Sequence, residues 1–148
     1  MKFIPFLKSL HAVFLLLLGL SAAIPLVAKG GPVDFPSMQL APQEQGGITY
    51  LAGGIGSDES EAIKNARGYN LHMTFSQGLA NEYEVGVDVD IQKPGGGSVL
   101  SLSKVGPLVY VNLPVGRYVI AVNRDGRIEK RRVMIERKST RNVNFHWE

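Results

Sequence analysis

The chain has 148 residues, with 16 lysines and arginines, 13 aspartates and glutamates and 45% hydrophobic residues. That length suits one domain and argues against two, and the ordinary apolar content excludes a disordered or collagen-like chain. The absence of cysteine excludes a disulfide framework, thiol catalysis, thiolate zinc sites and a lipidated N-terminal cysteine.

The first segment reads as an address. Met1 to His11 carries Lys2 and Lys8 and no acid, and an apolar run follows from Ala12 to Ala28, interrupted by Gly19, Ser21 and Pro25. A short basic stretch, an apolar stretch and a small residue at its end make a secretory signal. Cleavage is expected after Ala28, with Ala23 as the second candidate. The competing reading is a retained membrane anchor, but the run of 17 residues is shorter than the ~20 that span a bilayer comfortably. Removing residues 1–28 takes away two lysines and no acid, so the mature chain has 14 basic and 13 acidic residues, net +1. The basic character of the precursor is partly a property of the signal and does not point to nucleic acid.

Residues 29–47 hold four glycines and three prolines without a sustained period, which predicts a flexible leader or irregular wrap. Ile48 to Ala52 is a strand candidate. Gly53 to Gly56 turns the chain, and Ser57 precedes Asp58, Glu59 and Glu61. Ser57 as cap and acids in the first turn predict a helix near 58–67, ended by Gly68. Tyr69, Leu71, Met73 and Phe75 alternate with polar residues, and so do Tyr83, Val85, Val87, Val89 and Ile91. A clean period of two predicts half-buried antiparallel strands. Lys93 to Gly97 is a loop. Further strands are expected at 99–103, 108–112, 118–123, 127–135 and 141–147, with Asp125-Gly126 as a hairpin signal. Seven or eight short strands at regular spacing predict an antiparallel β-sandwich from residue 48 to 148, with one short early helix.

Leu113-Pro114-Val115-Gly116-Arg117-Tyr118 resembles the L-P-x-G-x-Y element of transthyretin-like sandwiches, which in bacterial sequences are called carboxypeptidase regulatory-like domains. Gly53 to Glu59 followed by Tyr69-Asn70-Leu71 is similar to the G-G-I-G-x-D-E turn and the next strand in a group of small exported proteins of Gram-negative bacteria. The resemblance covers roughly residues 48–147. It implies a mainly β transthyretin-like or Ig-like fold and an accessory module without catalysis, and it says little about function. In physical terms Pro114 and Gly116 turn the chain, while Tyr118 can bury its ring and tie down a loop with its hydroxyl.

Several candidate sites follow from residue type and spacing. Gly53-Gly54-Ile55-Gly56-Ser57 has the form of a phosphate cradle, but no Lys-Ser/Thr pair follows it and the acids at 58, 59 and 61 would repel a phosphate. The segment reads as a structural turn. Glu84, Asp88 and Asp90 are expected on one strand face, about 7 Å apart, where carboxylates can act as acid and base or hold a hard cation; the plainer reading is a solvated face. His72 and His146 are the two histidines after the signal, and they could form a copper or zinc site if their strands are neighbours. No nucleophile stands at a recognisable spacing from a base, so no catalytic residue, cofactor or metal ligand is assigned.

Charge distribution is the most informative feature. Lys29 to Gly116 carries net −4 and Arg117 to Glu148 net +5. Arg124, Arg127, Lys130, Arg131, Arg132, Arg137, Lys138 and Arg141 lie on one expected hairpin and the loop after it. They are the candidate interaction face, for an envelope protein or an anionic glycan. The alternatives are charge compensation by the acidic strand within one sheet and protection of an edge strand against aggregation. Nucleic acid is not expected, because aromatic residues are not interleaved with the basic ones. The leading reading is a periplasmic or secreted, non-enzymatic β-sandwich that binds something in the cell envelope. The alternatives are a small periplasmic metal-binding protein or hydrolase using Glu84, Asp88, Asp90 or the histidines, and a structural subunit that pairs through an exposed strand edge.

Overall fold

A computed structural model describes residues 40–148. Both candidate cleavage residues, Ala28 and Ala23, and most of the expected leader lie outside that range. The described chain is mainly β and runs β1 (Gln43–Gln45), β2 (Ile48–Gly53), α1 (Ser57–Asn65), β3 (Leu71–Gln77), β4 (Glu82–Tyr83), β5 (Val87–Gln92), β6 (Ser98–Val105), β7 (Leu108–Asn112), β8 (Gly116–Arg124), β9 (Arg127–Ile135) and β10 (Arg141–Trp147). Among the described residues no helix is long and apolar enough to cross a membrane.

Two sheets form. The first has the order β1-β2-β7-β3-β10, with β4 pairing on β3, and the second has the order β6-β5-β8-β9. Their facing sides enclose one core. It joins Leu71, Met73, Phe75, Val109, Val111, Val143 and Phe145 of the first sheet to Val87, Val89, Ile91, Leu100, Tyr118, Ile120, Val122 and Ile135 of the second. This is the expected β-sandwich, in which alternate residues of each strand point inward.

The strand count is ten rather than seven or eight, and two local events account for the difference. Gln43–Gln45, within the stretch whose composition suggested a leader, pairs antiparallel with β2. Gly46 and Gly47 join the two strands at φ 57° and 79°, the twin positive values of a tight hairpin turn. The alternating run from Tyr83 to Ile91 is also two strands, not one. Glu82 and Tyr83 pair with β3 in the first sheet, whereas Val87–Gln92 pairs with β6 and β8 in the second. Glu84 to Gly86 carries the chain between sheets. Glu84 N–H still donates to the Phe75 carbonyl (3.0 Å) and Gly86 N–H already donates to that of Val105 (2.9 Å). Not every pair is antiparallel: β10 runs parallel to β3, with Val143 beside Met73 and Phe145 beside Phe75.

The helix covers the outside of the first sheet. Ile63 packs with Leu51, Leu108 and Tyr110 in a small second cluster, with Tyr69 and Leu40 at its border. Strand β7 is therefore buried on both faces, which explains its unbroken Leu-Val-Tyr-Val sequence. The cap is Gly56 rather than Ser57, whose hydroxyl bonds only to Asp58. Glu59 closes the turn instead, its carboxylate accepting the Ile55 N–H at 2.8 Å. The helix ends at Asn65, with Ala66 extended, before Gly68 is reached.

The Leu113–Tyr118 element is held from two sides. The Tyr118 ring is buried and its hydroxyl donates to the Pro114 carbonyl at 2.8 Å. The Asn70 side chain accepts the Leu113 N–H at 2.9 Å and donates to the Leu113 carbonyl at 2.7 Å. A single side-chain amide thus extends the pairing of β3 with β7 past the last residue of β7.

Candidate interaction face

The hairpin of β8 and β9 divides its basic residues by parity. Val133 and Ile135 point into the core, so Glu129 and Arg131 face the same side and Ile128, Lys130, Arg132 and Met134 face out. Arg131 lies over the Phe145 ring, 5.7 Å from its centroid, and pairs with Glu129 at 3.2 Å. Arg124 also turns inward. It lies over the Trp147 ring at 5.7 Å, meets Glu84 at 3.0 Å and donates to Gln77 Oε1 at 2.6 Å. These two arginines cover the seam between β9 and β10.

Lys130 and Arg132 remain on the outer face, and neither makes a salt bridge among the described residues. Their cross-strand neighbours on β8 are Ala121 and Val119. Asp90 of β5 lies beyond Ala121, two strands and about 9–10 Å from the Lys130 backbone. The acidic strand is therefore not beside the basic one. Asp88 is engaged elsewhere, accepting the Lys104 N–H at 2.9 Å and lying 3.8 Å from its ammonium, where β6 departs from regular strand geometry at φ 52°. Asp90 accepts hydrogen bonds from Ser98 and Gln92.

The other basic residues are dispersed. Arg127 stands at the Asp125-Gly126 turn, beside Gln77, Arg124 and Glu148. Arg137, Lys138 and Arg141 stand at the opposite end of β9, about 30 Å away at the rise of an extended strand. Arg117, which the basic-cluster pattern omitted because it precedes the hairpin arm, joins the outer group. It is paired with Met134, and a shallow depression is lined by Pro94, Arg117, Val119, Arg132 and Met134. That depression brings the loop Lys93 to Gly97 next to the outer face of β9. Its signal in the sequence was the odd-numbered parity that Arg117 shares with Val119 and Ala121.

The acid and histidine candidates do not converge. Glu84 is only 9% exposed and lies between the sheets, whereas Asp88 and Asp90 are on the outer face of the second sheet. His72 and His146 sit on adjacent strands of the first sheet, but His72 pairs with Asn142 and His146 with Ser76. The four-residue offset separates them by about 13 Å. His146 Nδ1 is 3.1 Å from the Ser76 hydroxyl. His72 stacks flat on Tyr110, with centroids 3.6 Å apart. Burial lowers the His72 pKa, partly offset by its hydrogen bond to the Tyr69 backbone. No group of three or more His, Asp or Glu suited to a metal is found among the described residues. The space above Gly53, where a phosphate cradle would need room, is occupied by the Glu59 carboxylate.

No protein-family model matches the chain, and a search of curated proteins finds no match. Among solved structures the chain is similar to BcpA, the major pilin subunit of Bacillus cereus, with 15% identity and a TM-score of 0.40. The alignment covers 51% of this chain and 28% of the pilin, so the chain spans little more than a quarter of that protein's length.

Proposed function

We propose that this chain is an exported, non-enzymatic interaction module of the bacterial cell envelope, a β-sandwich of the transthyretin-like, carboxypeptidase regulatory-like kind. It binds an anionic partner through the outer face of β9. The observation that carries this reading is the position of Lys130 and Arg132. Both are exposed and make no ion pair among the described residues, and Arg132 borders a depression that Arg117 makes still more basic. Cations that are neither paired nor stacked are available to a ligand, whereas Arg124 and Arg131 serve the fold. Electrostatic complementarity at such a face sets partner choice and association rate more than raw affinity. The remote signal-like N-terminal segment and the L-P-x-G-x-Y element support export and the family reading respectively.

The test is cross-linking of the tagged protein in its own cells, comparing the native sequence with a Lys130→Glu/Arg132→Glu variant of equal thermal stability. Loss of the captured species in the variant is expected. Capture unchanged by the double reversal would remove this face from the reading.

A further inference from the structure

We infer that β9 is a docking edge for an extended acidic peptide, which adds to the second sheet as a fifth strand; this deepens the reading of the same face as an anion-binding surface. Strand β9 ends its sheet. The turn at Asp125 and Gly126, with φ 49° and 85°, is a two-residue hairpin turn, which makes Arg124 and Arg127 a hydrogen-bonded pair. Counting from there, Arg127, Glu129, Arg131, Val133 and Ile135 direct their backbone groups at β8. Ile128, Lys130, Arg132 and Met134 direct theirs away from it. Those four amides and carbonyls make no hydrogen bond to another segment among the described residues.

The same four residues put their side chains on the outer face, in the order apolar, basic, basic, apolar. Ile128 is 63% exposed and Met134 37%. The edge therefore offers two readouts at once. The backbone can accept any extended segment. The side chains select one with acids at two alternate positions and apolar residues outside them, an apolar-x-acid-x-acid-x-apolar pattern.

The charges also exclude one competitor. An antiparallel pairing of β9 with a second copy, centred on Arg131, would set Lys130 against Arg132 and Ile128 against Met134. Like charges directly opposite are destabilising, and basic edge residues block self-association. The edge is closed to its own copy and open to an acidic strand, which combines attraction with rejection.

The probe is the peptide Val-Thr-Asp-Thr-Asp-Thr-Val, titrated into the purified full-length protein by fluorescence anisotropy, with amide exchange measured at saturation. Saturable binding is expected, with exchange at Ile128, Lys130, Arg132 and Met134 slowed at least tenfold. Alternate N-methylation of the peptide, its Asp→Asn form, and Lys130→Gln/Arg132→Gln in the protein should each weaken binding about tenfold or more. Three results would overturn strand addition: no binding, equal binding of a peptide with adjacent aspartates, or binding without slowed exchange on β9. A sulfated oligosaccharide that binds while the peptide does not, and loses binding in the glutamine variant, would overturn the strand and keep the anion-binding face. If neither ligand binds and in-cell capture survives the charge reversal, both readings fail together.

Discussion

Glu84 and Arg124 meet at 3.0 Å across one end of the sandwich, with side chains 11% and 19% exposed. They join the segment crossing between sheets to the last residue of β8, and Arg124 also covers the Trp147 ring. Removing one member of a largely buried pair leaves the other charge without compensation. Glu84→Ala or Arg124→Ala should each lower the unfolding free energy by about 2–4 kcal/mol. The double variant should cost clearly less than the sum of the two. Urea denaturation of the four proteins reads this directly, and strict additivity would show that the contact does not couple the two segments.

Asn70 holds Leu113 by both its N–H and its carbonyl, while its own N–H donates to the Val111 carbonyl and its carbonyl accepts the Arg141 N–H. One residue therefore ties β3, β7 and the start of β10. Asn70→Ala removes two side-chain hydrogen bonds and leaves two backbone groups in need of water, a loss of about 2–3 kcal/mol. Asn70→Asp keeps the acceptor but sets a carboxylate oxygen against the Leu113 carbonyl, so it should be at least as destabilising at neutral pH. A thermal melt in which Asp matches the native protein would contradict the assigned geometry.

The sandwich was legible wherever period two coincided with burial on one face, as in Leu71, Met73 and Phe75 or Tyr118, Ile120 and Val122. It was less legible where the pattern stayed smooth across a change of sheet. Val85 and Val87 preserve alternation through Gly86, so the period does not mark the crossing. The one local sign is Gly86 itself, a glycine inside the strand pattern that takes φ 75° at the bend. Strand β1 has only exposed residues and exists because the Gly46-Gly47 turn folds it onto β2. Strand direction is set by tertiary pairing, and β10 carries no residue that announces a parallel neighbour. The basic hairpin itself was visible in composition. Which of its cations are free depends on facing: one step of parity separates Lys130, on the surface, from Arg131, over Phe145.

Gly106 marks a close approach between the β6–β7 turn and the end of β2. A methyl group at this position would lie 2.6 Å from the Gly53 carbonyl oxygen and 2.9 Å from its carbonyl carbon. Both obstacles are backbone, so relief requires moving β2 and with it the turn that leads into α1. Gly106→Ala should destabilise by about 1–3 kcal/mol, in the range of overpacked interiors. Gly78→Ala offers the contrast, since nothing lies within 4 Å of its added carbon and only its positive φ of 66° opposes the change. Paired calorimetric scans should place Gly106→Ala lower in Tm, and the reverse order would mean that the β2 end is slack.

His72 makes stability depend on pH through its flat stack on Tyr110 and its buried Nε2. Burial lowers its pKa in the folded chain, so between the folded and unfolded values the unfolded chain binds more protons. The favourable neutral state is fully present above the unfolded value of about 6.5 and is lost as pH falls from there toward the lowered folded value. Tm should therefore decrease between pH 7.5 and 5.5, before most carboxylates titrate. In His72→Phe, which keeps a ring over Tyr110 and cannot be protonated, that decrease should be smaller, whatever its absolute Tm. An equal decrease in both proteins would assign the pH dependence to other groups and leave His72 as a packing residue alone.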